Sequence, residues 1–141
     1  MFSYSVLQHF SRGNFDVALA EMSRVLRKDG HVLVQMPNRL GIRNLYNRIR
    51  NGFREEDFDV RYYFPSELAR YGHRHFVKAR TSIDAFFGLG VQPSDWAFLT
   101  PLGKTVCFAS EWLRLACRYV PGSNWLADSL YLHLECPREP T

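Results

Sequence analysis

Cysteine is scarce in this chain of 141 residues: Cys107, Cys117 and Cys136 are the only three. Three scattered thiols exclude a disulfide framework, and no Cys-x-x-Cys pair offers a structural metal site. Long hydrophobic runs are missing too. Charges interrupt every apolar stretch well before the roughly 20 residues that a bilayer-spanning helix needs. The first residues, MFSYSVLQHF, contain neither a basic region nor an apolar run behind it, so they do not read as a secretory signal. Repeats and low-complexity tracts are absent. Together these absences predict a reduced, cytoplasmic protein with no membrane partner, folded as a single domain over 1–141.

What is present is ordinary globular composition, 46% hydrophobic and 23% charged, enough for one real core. The formal charge is +4 with a pI near 9.1. Arg39, Arg43, Arg48, Arg50, Arg54 and Arg61 crowd one segment, but Glu55, Glu56, Asp57 and Asp59 stand among them. Mixed charge of this kind fits a solvated surface. A nucleic-acid partner is not expected, because the basic residues are only loosely interleaved with aromatics.

Periodicity lays out the elements. Phe2 to Ser5 reads as a strand end. Phe15, Ala18, Leu19, Met22, Val25 and Leu26 recur at helical spacing, predicting a helix to Lys28 with Asn14 as its N-cap and Gly30 as a left-handed stop. Its last turn would hold Arg24, Arg27 and Lys28. His31 to Met36 is a β-branched run halted by Pro37, a buried central strand. Ile42, Leu45, Tyr46 and Ile49 share a helical face, with Gly52 beyond them. Ser66 to Tyr71 reads as a further helix after Pro65, closed by Gly72. Val77, Ala79, Thr81, Ile83 and Ala85 alternate with polar residues, as an edge strand would, and Gly88-Leu-Gly90 reads as a turn. Thr100-Pro101 opens a long helix whose packed stripe would be Val106, Ala109, Leu113, Ala116 and Val120. A last strand sets Leu130, Leu132, Leu134 and Cys136 opposite Tyr131, His133 and Glu135. The tail from Pro137 should fray. Alternating strands and helices predict an α/β fold.

Two stretches carry a resemblance. Ser3-Tyr-Ser-Val-Leu-Gln-His9, a helix, and Val25-Leu-Arg-Lys-Asp-Gly-His-Val-Leu-Val-Gln-Met-Pro37 form the first. Val120-Pro-Gly-Ser-Asn-Trp-Leu-Ala-Asp-Ser-Leu-Tyr131 is the second. In order and spacing they resemble class I S-adenosylmethionine (SAM)-dependent methyltransferases of the small-molecule, type 11-like group. Lys28-Asp29-Gly30 stands where that family usually has Pro-Gly-Gly. The family sheet runs 3-2-1-4-5-7-6. The resemblance therefore implies a partial Rossmann-like fold, strands four to seven with covering helices and an antiparallel last strand. It implies that the chain begins inside strand four. The adenosyl-binding glycine loop and the acidic end of strand two have no counterpart in the sequence. Weak SAM binding, or none, is then expected of these residues alone, with self-association or a missing N-terminal half as partner.

By the same resemblance, Ser3, Tyr4 and Ser5 face the methionine part of SAM, and His9 is the candidate base near the pocket, balanced against a structural role at a strand–helix turn. The segment 38–64 is the expected substrate lid. Asn38, Arg39 and Asn44 leave the strand beside the pocket and Tyr62 and Tyr63 return to it, a setting for a small-molecule acceptor. Arginines there could grip a phosphate or carboxylate, or remain solvated. His73-Arg-His75 would put two imidazoles on one strand face, but no further ligands are in place, so no metal is expected. Trp96, Trp112 and Trp125 read as core residues. The rival to catalysis is a silent α/β module that binds a partner chain.

Overall fold

The computed structural model describes residues 1–50, 60–87, 93–117 and 119–138. Gly52, the Gly88-to-Gly90 turn, residues 51–59 of the expected lid and the tail from 139 lie outside the described residues.

The first helix starts earlier than its apolar spacing suggests. The Ser11 hydroxyl accepts the N–H of Asn14 at 3.2 Å, so Ser11, not Asn14, caps α1 (Arg12–Val25). The helix stops when Leu26 turns extended, which leaves Arg27 and Lys28 beyond it. Gly30 is not a left-handed stop. A Cβ there would meet Leu26 Cγ at 2.8 Å, so this glycine gives the Leu26 side chain its room.

After β1 (Phe2–Ser3) and α1 come β2 (His31–Pro37), α2 (Ile42–Arg50), α3 (Pro65–His75), β3 (Phe76–Ala85), α4 (Pro101–Cys117) and β4 (Ser129–Pro137). Helix α3 runs four residues past its expected end. Gly72 sits inside it, fully covered, because a Cβ would lie 2.6 Å from Leu134 and 2.7 Å from Ala79. Close packing, not chain termination, explains this glycine. His73 and His75 consequently fall in the last turn of a helix, not on a strand.

The four strands form one mixed sheet in the order β1-β2-β4-β3. Strands β1 and β2 are parallel, with Phe2 opposite Leu33 and Ser3 opposite Val34. Strand β4 runs antiparallel to β2 on one side and β3 on the other. The molecule is thus α/β, with β3 at an edge and β2 inside, as the alternation predicts.

One face of the sheet makes the core. Val32, Val34 and Met36 of β2 and Leu130, Leu132 and Leu134 of β4 are buried against Leu7, Phe15, Leu19 and Leu68. Burying each such side chain is worth about 1.5–3 kcal/mol. Polar ties fix the covering helices to one another. Arg12 pairs with Glu67, His75 Nε2 lies 3.0 Å from Asp16, and the Ser23 hydroxyl donates to the His75 carbonyl at 2.8 Å.

The tryptophans are not in this core: Trp96, Trp112 and Trp125 are all exposed, and Phe15, Tyr63, Phe76 and the leucines fill the space instead. Helix α4 is also rotated from expectation. Ser110, Leu113 and Cys117 face inward, whereas Ala109 and Ala116 are exposed and Val120 lies beyond the helix. Both sectors of α4 are apolar, so periodicity alone could not choose between them. Among the described residues no helix is long and apolar enough to cross a membrane.

Candidate functional site

Alternation along β4 sends Ser129, Tyr131 and His133 to the face opposite the buried leucines. There they meet Gln35, which pairs with Tyr131 across β2, and Ser82, which pairs with Tyr131 across β3. The result is a polar row across the whole sheet. Gln35 Oε1 accepts the Ser5 N–H at 3.1 Å and the Ser5 hydroxyl at 3.2 Å. The Gln35 amide donates to the Ser129 hydroxyl, which donates to Asp84 Oδ2 at 2.7 Å. Ser5 has φ 56°, a left-handed conformation uncommon for serine. Its two bonds to Gln35 hold it there.

Two titratable groups on this face stay neutral near pH 7. Burial, with the Asp84 carboxylate beside it, pushes the Tyr131 phenol well above its ordinary value. Burial, then the Arg80 guanidinium, lowers the His133 imidazole, which lies 2.7 Å from the Ser82 hydroxyl. A cavity of about 530 Å³ opens beside them, between the β3–β4 edge and the end of α4, lined by Ser82, Arg114, Cys117, Asn124, Tyr131 and His133 among others. Arg114 is held cationic by its bonds to Glu111. This set of groups can bind a small polar molecule through neutral donors and acceptors and one guanidinium. It places no paired carboxylates for acid–base work. Among the described residues no cluster of three His, Cys, Asp or Glu could hold a metal ion.

The expected lid residues gather instead at the end of β2, in a second polar cluster. Asn38 is fully buried. Its amide nitrogen donates to the carbonyls of Asn124, Trp125 and Ala127 at 3.1, 2.8 and 2.7 Å, and its Oδ1 accepts the Leu40 N–H. Asn44 Nδ2 reaches the carbonyls of Asn38 and Asp128 at 3.0 and 2.6 Å. Asp128 Oδ1 accepts the N–H groups of Arg43 and Asn44, capping α2 at its positive end. The polar groups of Asn38 and Asn44 are therefore engaged in holding the loop before β4 against the start of α2.

Tyr63 bridges to Asn38 in parallel register. Its side chain, however, is buried against Phe15 and Tyr71 with Arg12 over the ring. Burial pushes its phenol up to about 12. Tyr62 is half-buried under the Arg48 guanidinium, and Arg39 lies half-buried over the Phe64 ring at 5.2 Å. Ser3 and Tyr4 are half-buried beside Ser5 at the end of β1. His9 is exposed in a short 3₁₀ turn, 3.2 Å from the Gln8 amide.

Sequence reasoning missed Gln35, Asp84, Ser129, Tyr131 and His133. Two signals for them existed: a lone glutamine inside an apolar strand, and the polar half of the β4 alternation. Compared with known proteins, the chain matches no protein-family model and no curated protein sequence.

Proposed function

We propose that the chain forms the C-terminal part of a class I SAM-dependent methyltransferase acting on a small-molecule acceptor. The observation that carries this reading is the sheet order β1-β2-β4-β3, with β1 parallel to β2 and β4 antiparallel to both neighbours. Strands four, five, seven and six of that family stand in the same order and directions. Ser5, in the turn just past β1, then occupies the position expected to face the methionine part of the cofactor.

The residues present do not fit SAM by themselves. Both donors of Ser5 are taken by Gln35, and the sequence offers no glycine loop and no acidic strand end. The chain supplies one wall of the cofactor site, and strands one to three supply the adenosyl contacts. For the acceptor, Arg39 is the group to hold an anionic substituent. Its guanidinium lies over the Phe64 ring, and a guanidinium grips carboxylate or phosphate bidentately. Methyl transfer from labelled SAM, by the chain joined to strands one to three of a class I methyltransferase, tests the reading. Label in a small acceptor, with Arg39→Gln raising KM for anionic acceptors only, is the expected result. A folded, joined protein that never consumes SAM would overturn it.

One observation favours a second reading, a silent module that binds a partner chain. At the β1 edge, Met1, Phe2 and Val6 are each more than half exposed, and a raw apolar edge invites pairing. Size-exclusion chromatography over a dilution series separates the cases. Concentration-dependent association through this edge supports a partner, and a monomer at every concentration speaks against one.

A further inference from the structure

Resting on the methyltransferase reading, we propose that Gln35 is a positioning residue. It takes the hydroxyl proton of Ser5 and so presents Ser5 Oγ as an acceptor to the positively charged end of the cofactor's methionine part.

Ser5 has two donors, its N–H and its hydroxyl, and Gln35 Oε1 accepts both, at 3.1 and 3.2 Å. The Gln35 amide can turn its oxygen to Ser5 only while its NH2 group faces the other way. Ser129 and Asp84 hold it so. The Asp84 carboxylate accepts the Ser129 hydroxyl proton at Oδ2, 2.7 Å away, and Ser129 Oγ is left to accept from the Gln35 NH2. All three side-chain donors therefore point from Ser5 toward Asp84. Gln35 and Ser129 are both 6% exposed, so water does not compete for these bonds.

Ser5 itself is exposed. With its proton turned to Gln35, Oγ keeps its two lone pairs, and among the described residues no group donates to them. Glycine would take φ 56° without strain, so what serine adds at this position is the hydroxyl. Ser5 also follows the carboxyl end of β1, beside parallel β2, and ligands of open α/β sheets bind outside such strand ends. An oxygen that accepts but cannot donate suits a cation and cannot serve a carboxylate. The methionine part of SAM offers two cations, the sulfonium and the α-ammonium.

Binding of SAM and of S-adenosylhomocysteine to the chain joined to strands one to three tests this, together with hydrogen exchange at the Ser5 amide of the chain alone. Ser5→Ala and Gln35→Met should each weaken SAM binding about tenfold or more. The double variant should lose no more than the weaker-binding single variant, because both remove one interaction. S-adenosylhomocysteine lacks the sulfonium charge. If Oγ faces the sulfonium, its affinity is unchanged; if Oγ faces the ammonium, both ligands lose alike, and either result supports the proposal. In the chain alone, the Ser5 amide should exchange more slowly in the parent than in Gln35→Met. Should Gln35→Met fail to fold, Asp84 gives the same test from a half-buried position: Asp84→Ala weakens SAM, whereas Asp84→Asn, whose carbonyl still accepts from Ser129, does not. Parent-like SAM affinity in Ser5→Ala, losses that multiply in the double variant, or equal exchange of the Ser5 amide overturns the proposal and leaves the methyltransferase reading standing. A folded joined parent that binds no SAM overturns that reading, and the proposal with it.

Discussion

The side-chain nitrogen of Asn38 stands 2.7 Å from the carbonyl oxygen of Ala127, a residue 89 positions later in the chain. The same nitrogen serves the carbonyls of Asn124 and Trp125. One amide thus fastens the end of β2 to the whole turn that leads into β4. Replacing Asn38 with alanine leaves those carbonyls, the buried one of Ala127 above all, short of a donor, at about 1–3 kcal/mol for such a loss. Urea unfolding of Asn38→Ala should show destabilisation of about that size. A variant as stable as the parent would show that these bonds do not hold the turn.

Gly72 makes a prediction against its own propensity. Alanine at a helix interior normally gains about 1 kcal/mol over glycine. At Gly72 the added methyl would sit 2.6 Å from Leu134 Cδ2 and 2.7 Å from Ala79 Cβ. The leucine tip can turn aside, but the Ala79 Cβ is fixed to its strand. Overpacking of this kind costs about 1–3 kcal/mol, so Gly72→Ala should lower the unfolding midpoint. A rise would mean that α3 stands farther from the sheet than it does here.

These two positions show where the sequence could be read and where it could not. The strands were legible: the Val32–Met36 run and the leucine alternation of β4 have only one sensible burial. Parallel pairing of β1 with β2 and the antiparallel last strand followed from element order and resemblance. Gly72 read as a helix stop because its reason for being glycine lies on two other strands. The bonds that Asn38 makes to Asn124, Trp125 and Ala127 had no local signal, because those partners are 86 to 89 residues distant. Helix α4 misled for another reason. Its exposed side is as apolar as its packed side, and hydrophobic spacing reports apolar faces, not buried ones. The polar row from Ser5 to Asp84 involves three strands and the turn after β1, and no local pattern encodes it.

The lowered His133 imidazole carries a pH dependence whose sign is fixed. Burial and Arg80 depress its folded value below the ordinary one, so the unfolded chain binds the proton more readily. Its contribution to stability is complete above about pH 6.5 and is lost as pH falls from there toward the folded value. Denaturation midpoints measured at about pH 7.5 and about pH 5.5 should therefore drop more for the parent than for His133→Gln. Equal drops in both proteins would show that His133 is as easily protonated folded as unfolded.

The methyltransferase reading stands or falls on whether this half-sheet completes a cofactor site. Calorimetric titration of SAM into the chain alone, and into the chain joined to strands one to three of a class I methyltransferase, measures that directly. No measurable heat of binding is expected for the chain alone, where Gln35 already takes both donors of Ser5. Saturable binding, competed by S-adenosylhomocysteine, is expected for the joined protein. Tight binding by the chain alone, or none by a folded joined protein, would contradict it.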